Sequence, residues 1–147
     1  MPADVPERGD FVVLNFNPQA GHEQAGRRNA IVLSPKEFNQ ATGFIAVCPI
    51  TNQKKGYPFE VDLPKEGISP DGDGYPITGV VLTDQIKSLD WKARNLKILK
   101  KYNLEDAQIE EIDKIIDECL AKIETYLTWH NPFSFRKGYF LYFKVSW

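Results

Sequence analysis

Cysteine is scarce in this chain of 147 residues: only Cys48 and Cys119 occur, and neither belongs to a Cys-x-x-Cys pair or a Cys/His cluster. This excludes a disulfide scaffold and the usual zinc sites, and both thiols sit at apolar positions where reduced core residues are expected. Histidine is as sparse. His22 and His130 lie far apart, with no His-x-His or His-Glu-x-x-His context, so no metal or other cofactor is expected. No apolar run approaches the roughly 18 residues of a membrane span, and the opening MPADVPERGD lacks the charged-then-apolar order of a secretion signal. The expected setting is the cytoplasm, without membrane association.

Excess charge of either sign is also missing, since the net charge is −2. The balance is nevertheless uneven along the chain: residues 105–127 hold 2 basic and 8 acidic side chains, whereas 85–101 hold six basic and one acidic. A cationic surface therefore remains available for phosphates, although a solvated charged face would look the same on charge alone. With 42% hydrophobic residues the chain can bury a core, and its length suits one domain.

Short β-branched and apolar runs separated by turn residues fill the first half. Residues 11–16 (FVVLNF) and 30–34 (AIVLS) read as strands, joined by a Gly-, Asn- and Pro-rich segment expected to be a long mobile loop. GFIAVCPI at 43–50 reads as a buried strand, TNQKKG as a turn, and YPFEVDL at 57–63 as its antiparallel partner, with Pro58 favouring an edge. Residues 64–76 should form an exposed loop, and 79–89 the next strand and its exit.

A helix is expected from an Asn103 N-cap, with Glu105 and Asp106 in its first turn and Ile109, Ile112, Ile116, Cys119, Leu120, Ile123 and Leu127 along one face. Many short strands plus one terminal helix predict a compact, mainly β, α+β domain over 1–127. The remaining 128–147 hold eight of the 18 aromatics. That extension could form a β-hairpin packed on the domain or on an oligomer partner. Its aromatics, interleaved with Arg136, Lys137 and Lys144, could instead stack on bases.

Four ordered blocks carry a specific likeness: GDFVVLNFNP from Gly9, GHEQAGRRNAIVLSPKEFN, CPITNQKKGYPFEV, and GVVLTDQIKSLDWKAR up to Arg94. Together they resemble the MazF/PemK family of type II toxin-antitoxin toxins over most of residues 9–120. The resemblance implies an SH3-like barrel with a C-terminal helix, shared with CcdB-type toxins. It also implies a homodimer with RNA lying across the subunit junction, and a toxin endoribonuclease that cuts single-stranded mRNA at a short sequence and is silenced by a MazE-like antitoxin. The alternative is a non-catalytic, CcdB-like toxin binding a protein such as gyrase, because the fold alone does not separate the two.

Metal-free RNA cleavage needs a base for the 2′-hydroxyl, an acid for the 5′-oxygen, and donors for the charge on the phosphorane. By resemblance, catalysis falls to Arg28 of the EQAG-x-R motif and to Thr51 after the Cys-Pro-x strand end. Arg28 can offer a planar fork to two phosphate oxygens and Thr51 a hydroxyl to a third, but a guanidinium hardly ever gives up its proton. Glu23 is the base by type. An ion pair that merely holds the loop is the plainer role for Glu23 and Arg28. Asn17, Gln24, Asn52 and Gln53 suit the edges of unstacked bases; Lys54, Lys55 and Lys87 suit phosphates. Gln85, with Asp84 and Ser88, should shape the site's floor or a turn, and Phe16 reads as core more than as a stacking ring. Arg27, Asn29 and Asn52 depart from the residues relatives often carry, so nucleotide preference should differ.

Overall fold

The computed structural model describes residues 4–18, 20–23, 26–70, 76–99 and 104–129, with the backbone of 135–136 and 139–140. Strand β1 (Phe11–Asn15) alternates its side chains between two interiors. Phe11 faces one buried cluster, while Val12, Leu14 and, just beyond the strand, Phe16 face the other. That is the period-2 pleat applied to a sheet covered on both sides. Phe16, 1% exposed, is therefore core as expected. β1 pairs antiparallel with β2 (Arg27–Val32), which pairs antiparallel with the long β3 (Phe44–Thr51).

β3 organises the rest. Its free edge takes β5 (Val80–Leu82) at the C-terminal end and β6 (Lys87–Asp90) at the N-terminal end, both antiparallel. Six residue steps on that run, Val81 to Lys87, face only three on β3, Ile50 to Val47. Three residues must leave the ladder, and they form a 3-10 turn, Thr83–Gln85. The insertion aims Asp84 and Gln85 away from the sheet, toward the site described below.

The expected hairpin between 43–50 and 57–63 is not formed. β4 (Glu60–Asp62) is shorter than expected and pairs with β5, which separates it from β3. The connection after Thr51 is too long for a tight hairpin, and Pro58 lies outside the ladder, so β4 becomes the sheet's edge. At the opposite end β7 (Lys97–Ile98) pairs with β1. The order β4-β5-β3-β2-β1-β7 is that of a small, mainly antiparallel sheet whose described pairings do not join its two ends. The loop 64–76 is only partly described, and an isolated bridge between the buried Ile68 and Ile77 pins its base.

Two helices complete the fold. The first, α1 (Lys36–Thr42), was not anticipated, although Pro35 before it and Gly43 at φ +74° after it mark a short helix by the usual terminal asymmetry. Its Asn39 is fully buried: Nδ2 donates to the carbonyls of Pro6 (2.8 Å) and Ser34 (3.1 Å), and Oδ1 accepts from the Ser34 hydroxyl at 2.5 Å.

The second, α2 (Asp106–Leu127), begins at Glu105 rather than at Asn103, which lies outside the described residues. Glu105 and Gln108 form a reciprocal capping box. Ile112, Ile115, Ile116, Cys119 and Ile123 pack on the sheet, with Leu120 partly buried. Ile109 and Leu127, placed on the same stripe by periodicity, are 46% and 71% exposed, whereas Ile115, outside the expected face, is buried. Cys48 and Cys119 are both buried in this cluster, and burial pushes the Cys119 thiol up to about 12, in keeping with inert reduced thiols. Short strands β8 (Phe135–Arg136) and β9 (Tyr139–Phe140) form the hairpin expected in the extension. Whether its side chains pack or stack lies outside the described residues.

Candidate active site

Arg28 and Thr51 are 23 positions apart in sequence but share one cleft. The β1–β2–β3 registers bring Arg28, opposite Leu14, and Thr51, at the end of β3, onto a cavity of about 260 Å³ also lined by Arg27, Asn29 and Asn52. Arg28 is exposed, as a residue donating to an outside ligand must be. Thr51 is 7% exposed, and its Oγ1 accepts the Gln53 backbone N–H at 3.1 Å, which sets the first bend of the following loop.

The loop between β1 and β2 is closed at its neck. Asn17 Oδ1 accepts the Gly26 N–H at 2.9 Å, and the Phe16 N–H donates to the Gly26 carbonyl at 2.8 Å. From the turn after β6, Arg94 donates to the Asn17 carbonyl, while Arg27 donates to the Asn95 carbonyl at 2.8 Å. The Asn17 side-chain oxygen thus holds the loop together, a positioning contact beside the base reading expected of it. Gln24 lies outside the described residues.

Glu23 Oε2 lies 3.1 Å from Lys87 Nζ on β6, and Oε1 accepts the Ala20 N–H at 2.8 Å. The hydrogen bond from Lys87, then that from Ala20, hold this carboxyl below the usual carboxylate range. A carboxylate so held is ionised at neutral pH and a weaker base for it. A depressed folded value means the contact contributes above the group's ordinary range and is lost as pH falls through the folded one. Lys87 therefore ties the β1–β2 loop to β6, and neither it nor Glu23 lines this cleft or the one adjoining it.

A second cleft, about 320 Å³, adjoins the first and shares Thr51 with it. Gln53 and Lys55 from the β3–β4 loop line it, with Gln85 and Asp84 from the 3-10 turn. His22, weighed in the sequence only for a metal site or histidine pair, also lines it, with Tyr57, Glu60 and Leu82, which were not singled out. Glu60 shapes the loop: its carboxylate accepts the backbone N–H groups of Lys55 (3.0 Å), Gly56 (2.8 Å) and Tyr57 (3.1 Å). Those donors, Lys55 foremost, hold Glu60 below its ordinary range. Lys55 Nζ stands 5.9 Å from the centre of the half-exposed Tyr57 ring.

The far wall is anchored by α2. Tyr126 Oη donates to the Thr83 carbonyl at 2.7 Å, its ring meets Phe59 edge-on, and Lys122 Nζ donates to the Glu60 carbonyl at 2.8 Å. Not every expected binding residue points the same way. Lys54 is 2.8 Å from Asp62, a hydrogen bond that raises its pKa, and Asn52 Oδ1 accepts the Thr78 hydroxyl at 2.8 Å. Ser88 lies exposed on β6 and lines neither cleft. Among the described residues no three His, Cys, Asp or Glu side chains gather into a metal-binding set.

Residues 7–120 match the profile of the family described as the PemK-like, MazF-like toxin of type II toxin-antitoxin systems. The chain is 47% identical over 90 residues to the endoribonuclease toxin MazF of Escherichia coli K12, spanning 61% of this chain and 73% of that protein. Among solved structures, MazF (Form-I) from Deinococcus radiodurans superposes with a TM-score of 0.68 at 41% identity, covering 86% of this chain and all of that one. The MazE–MazF structure (Form-II) from the same organism superposes at 0.63 with 34% identity over 87% of this chain and all of that one.

Proposed function

The chain belongs to the PemK-like, MazF-like toxin family of type II toxin-antitoxin systems, and we propose from that membership that it is an endoribonuclease cutting single-stranded mRNA at a short sequence. The observation that carries the chemistry is the meeting of Arg28 and Thr51 in one cleft beside Arg27 and Asn52. The 2′-oxygen attacks phosphorus, the bond to the 5′-oxygen breaks, and charge on the phosphorane oxygens is met by the Arg28 fork and the Thr51 hydroxyl. Glu23 accepts the 2′-proton or, tied to Lys87, orients the loop that carries the cleft. Asn17, Gln24, Asn52, Gln53 and Gln85 read base edges, and Lys54, Lys55 and Lys87 contact phosphates.

The activity of the relatives favours this reading over a gyrase-binding toxin. The partners are single-stranded mRNA, a MazE-like antitoxin competing for the same surface, and a second copy of the chain. No helix among the described residues is long and apolar enough to cross a membrane, and the cytoplasm, where mRNA and antitoxin occur, is the place of action.

Incubation with a long unstructured RNA in EDTA, followed by mapping of the cut ends, should show cleavage at one short sequence, and annealing a complementary strand should protect it. An absolute requirement for Mg²⁺ or Mn²⁺ would remove the metal-free mechanism, and equal cutting of duplex would remove base-edge readout. Sedimentation at micromolar concentration should show a dimer; a monomer alone contradicts an RNA groove shared between subunits.

A further inference from the structure

An amide reads a base in one of two senses, because its oxygen accepts, its nitrogen donates, and a half-turn about the last bond exchanges the two. In Asn52 the sense is set. Its Oδ1 accepts the Thr78 hydroxyl at 2.8 Å, and Thr78 stands on a stretch held at both ends. On one side Ile77 and Ile68 exchange backbone hydrogen bonds of 2.7 and 2.9 Å; on the other, Val80 pairs with Thr51. Between them Gly79 is pressed so closely onto the end of β3 that a Cβ there would lie 3.0 Å from Asn52 Cα. With its oxygen committed to Thr78, Asn52 has its Nδ2 donors left for a ligand. The rest of the Arg28 cleft leans the same way. Its lining holds three side-chain oxygens that accept hydrogen bonds, those of Asn29, Thr51 and Asn52, and two are engaged: Thr51 Oγ1 by the Gln53 N–H, Asn52 Oδ1 by Thr78. Arg27 and Arg28 carry donors only.

We propose that Asn52, positioned by Thr78, is a specificity determinant: it accepts, beside the scissile phosphate, a base with a ring carbonyl, O4 of uracil or O6 of guanine, and rejects the amino group that cytosine or adenine carries in that place. The inference rests on the ribonuclease reading of the same cleft and gives its base readout a direction. An exocyclic amine set against Nδ2 leaves two donors with no acceptor between them, and Oδ1 cannot meet the amine without leaving Thr78. Asn52 follows Thr51 directly and lines one cleft with it and Arg28, so the base it meets belongs to a nucleotide flanking the reacting phosphate. It is also one of the positions where the chain departs from the residues relatives often carry, so the preference belongs to this chain rather than to the family. Asn52 is exposed, and replacing it removes no core contact.

The test begins from the mapped cut: in one short RNA each of the two nucleotides flanking it is replaced in turn by all four bases, and kcat/KM is measured for each. At one of the two positions wild type should cut the uracil RNA faster than the cytosine RNA, or the guanine RNA faster than the adenine RNA, by roughly 10- to 10²-fold. Which pair shows the difference tells whether the cleft takes a pyrimidine or a purine. Asn52→Ala and Thr78→Val should each bring that ratio close to one, and Thr78→Ser, which keeps the hydroxyl, should retain it. A merely structural Thr78 would slow all four RNAs alike when replaced by valine, and that result overturns the inference. So does a ratio that survives both Asn52→Ala and Thr78→Val, or a wild type that is indifferent or prefers the amino bases at both positions. Each of these leaves the ribonuclease reading standing, since wild type still cuts. If wild type cuts no RNA, the ribonuclease reading falls, and the inference with it.

Discussion

Arg28→Ala is expected to slow RNA cleavage by at least about 10²- to 10³-fold, equivalent to roughly 2.7–4 kcal/mol of lost transition-state stabilisation, the cost of deleting one preorganised donor. A guanidinium can donate to two oxygens at once, so the loss should lie at or beyond the upper end. The fold should tolerate the change. Arg28 joins the β1–β2 ladder through its backbone opposite Leu14, while its side chain is exposed and points into the cleft rather than the core. Circular dichroism and the melting temperature should stay near wild type.

Arg28→Lys should recover only part of the rate, since one ammonium cannot reproduce the fork. Thr51→Val removes the hydroxyl at nearly constant shape and should lower kcat more than it raises KM. Arg28→Ala and Thr51→Val proteins that are folded and fully active would move the chemistry elsewhere. A protein-binding toxin would then be the better account.

The parts of this site legible in the sequence are those written locally. Arg28 and Thr51 stand in contiguous motifs, and the strands that carry them announce themselves by β-branched runs. Helix α2 was equally visible because its apolar spacing repeats over six turns; Ile109 and Leu127 near its ends are more exposed than the pattern implied, and Ile115, outside the expected face, is buried. What escaped depends on which strand sits beside which. A run such as 57–63 shows that it can be a strand but not that β5 will intervene between it and β3.

The 3-10 insertion is a mismatch in count between two strands, invisible until their register is known. It helps to create the second cleft, so His22, Tyr57 and Glu60, although they stand inside the blocks that carry the family likeness, were not marked as site residues by their spacing. The spacing rules applied to histidine look for metals and His pairs, and a lone imidazole brought beside Thr51 by a loop passes through them. Helix α1 differs: Pro35 and Gly43 flank it in the expected sense, and its signal was present but brief.

Gly79→Ala should be among the most damaging single changes in the fold, and it should damage the site as well. Gly79 sits at φ +105°, a conformation that L side chains rarely adopt, so any other residue there carries strain of order 1–3 kcal/mol. A Cβ would also fall 2.1 Å from the Thr51 carbonyl oxygen, 2.8 Å from its carbon and 3.0 Å from Asn52 Cα. These obstacles are backbone and cannot rotate aside. Gly79 precedes Val80, the residue that pairs with Thr51, and its carbonyl accepts the Leu63 N–H at 3.0 Å, so relief must displace the end of β3 or loosen the β4–β5 edge.

Gly56→Ala is the matched control: it has a similar positive φ, +80°, but nothing within 4 Å of the added carbon, so it carries the strain without the collision. Each kcal/mol lost lowers Tm by roughly 2–8 °C in domains of about this size. Gly79→Ala should therefore melt well below Gly56→Ala, and its folded fraction should cut RNA more slowly because Thr51 has moved. Equal melting temperatures for the two variants, or full activity in folded Gly79→Ala, would show that the Thr51 carbonyl does not stand where this close approach puts it.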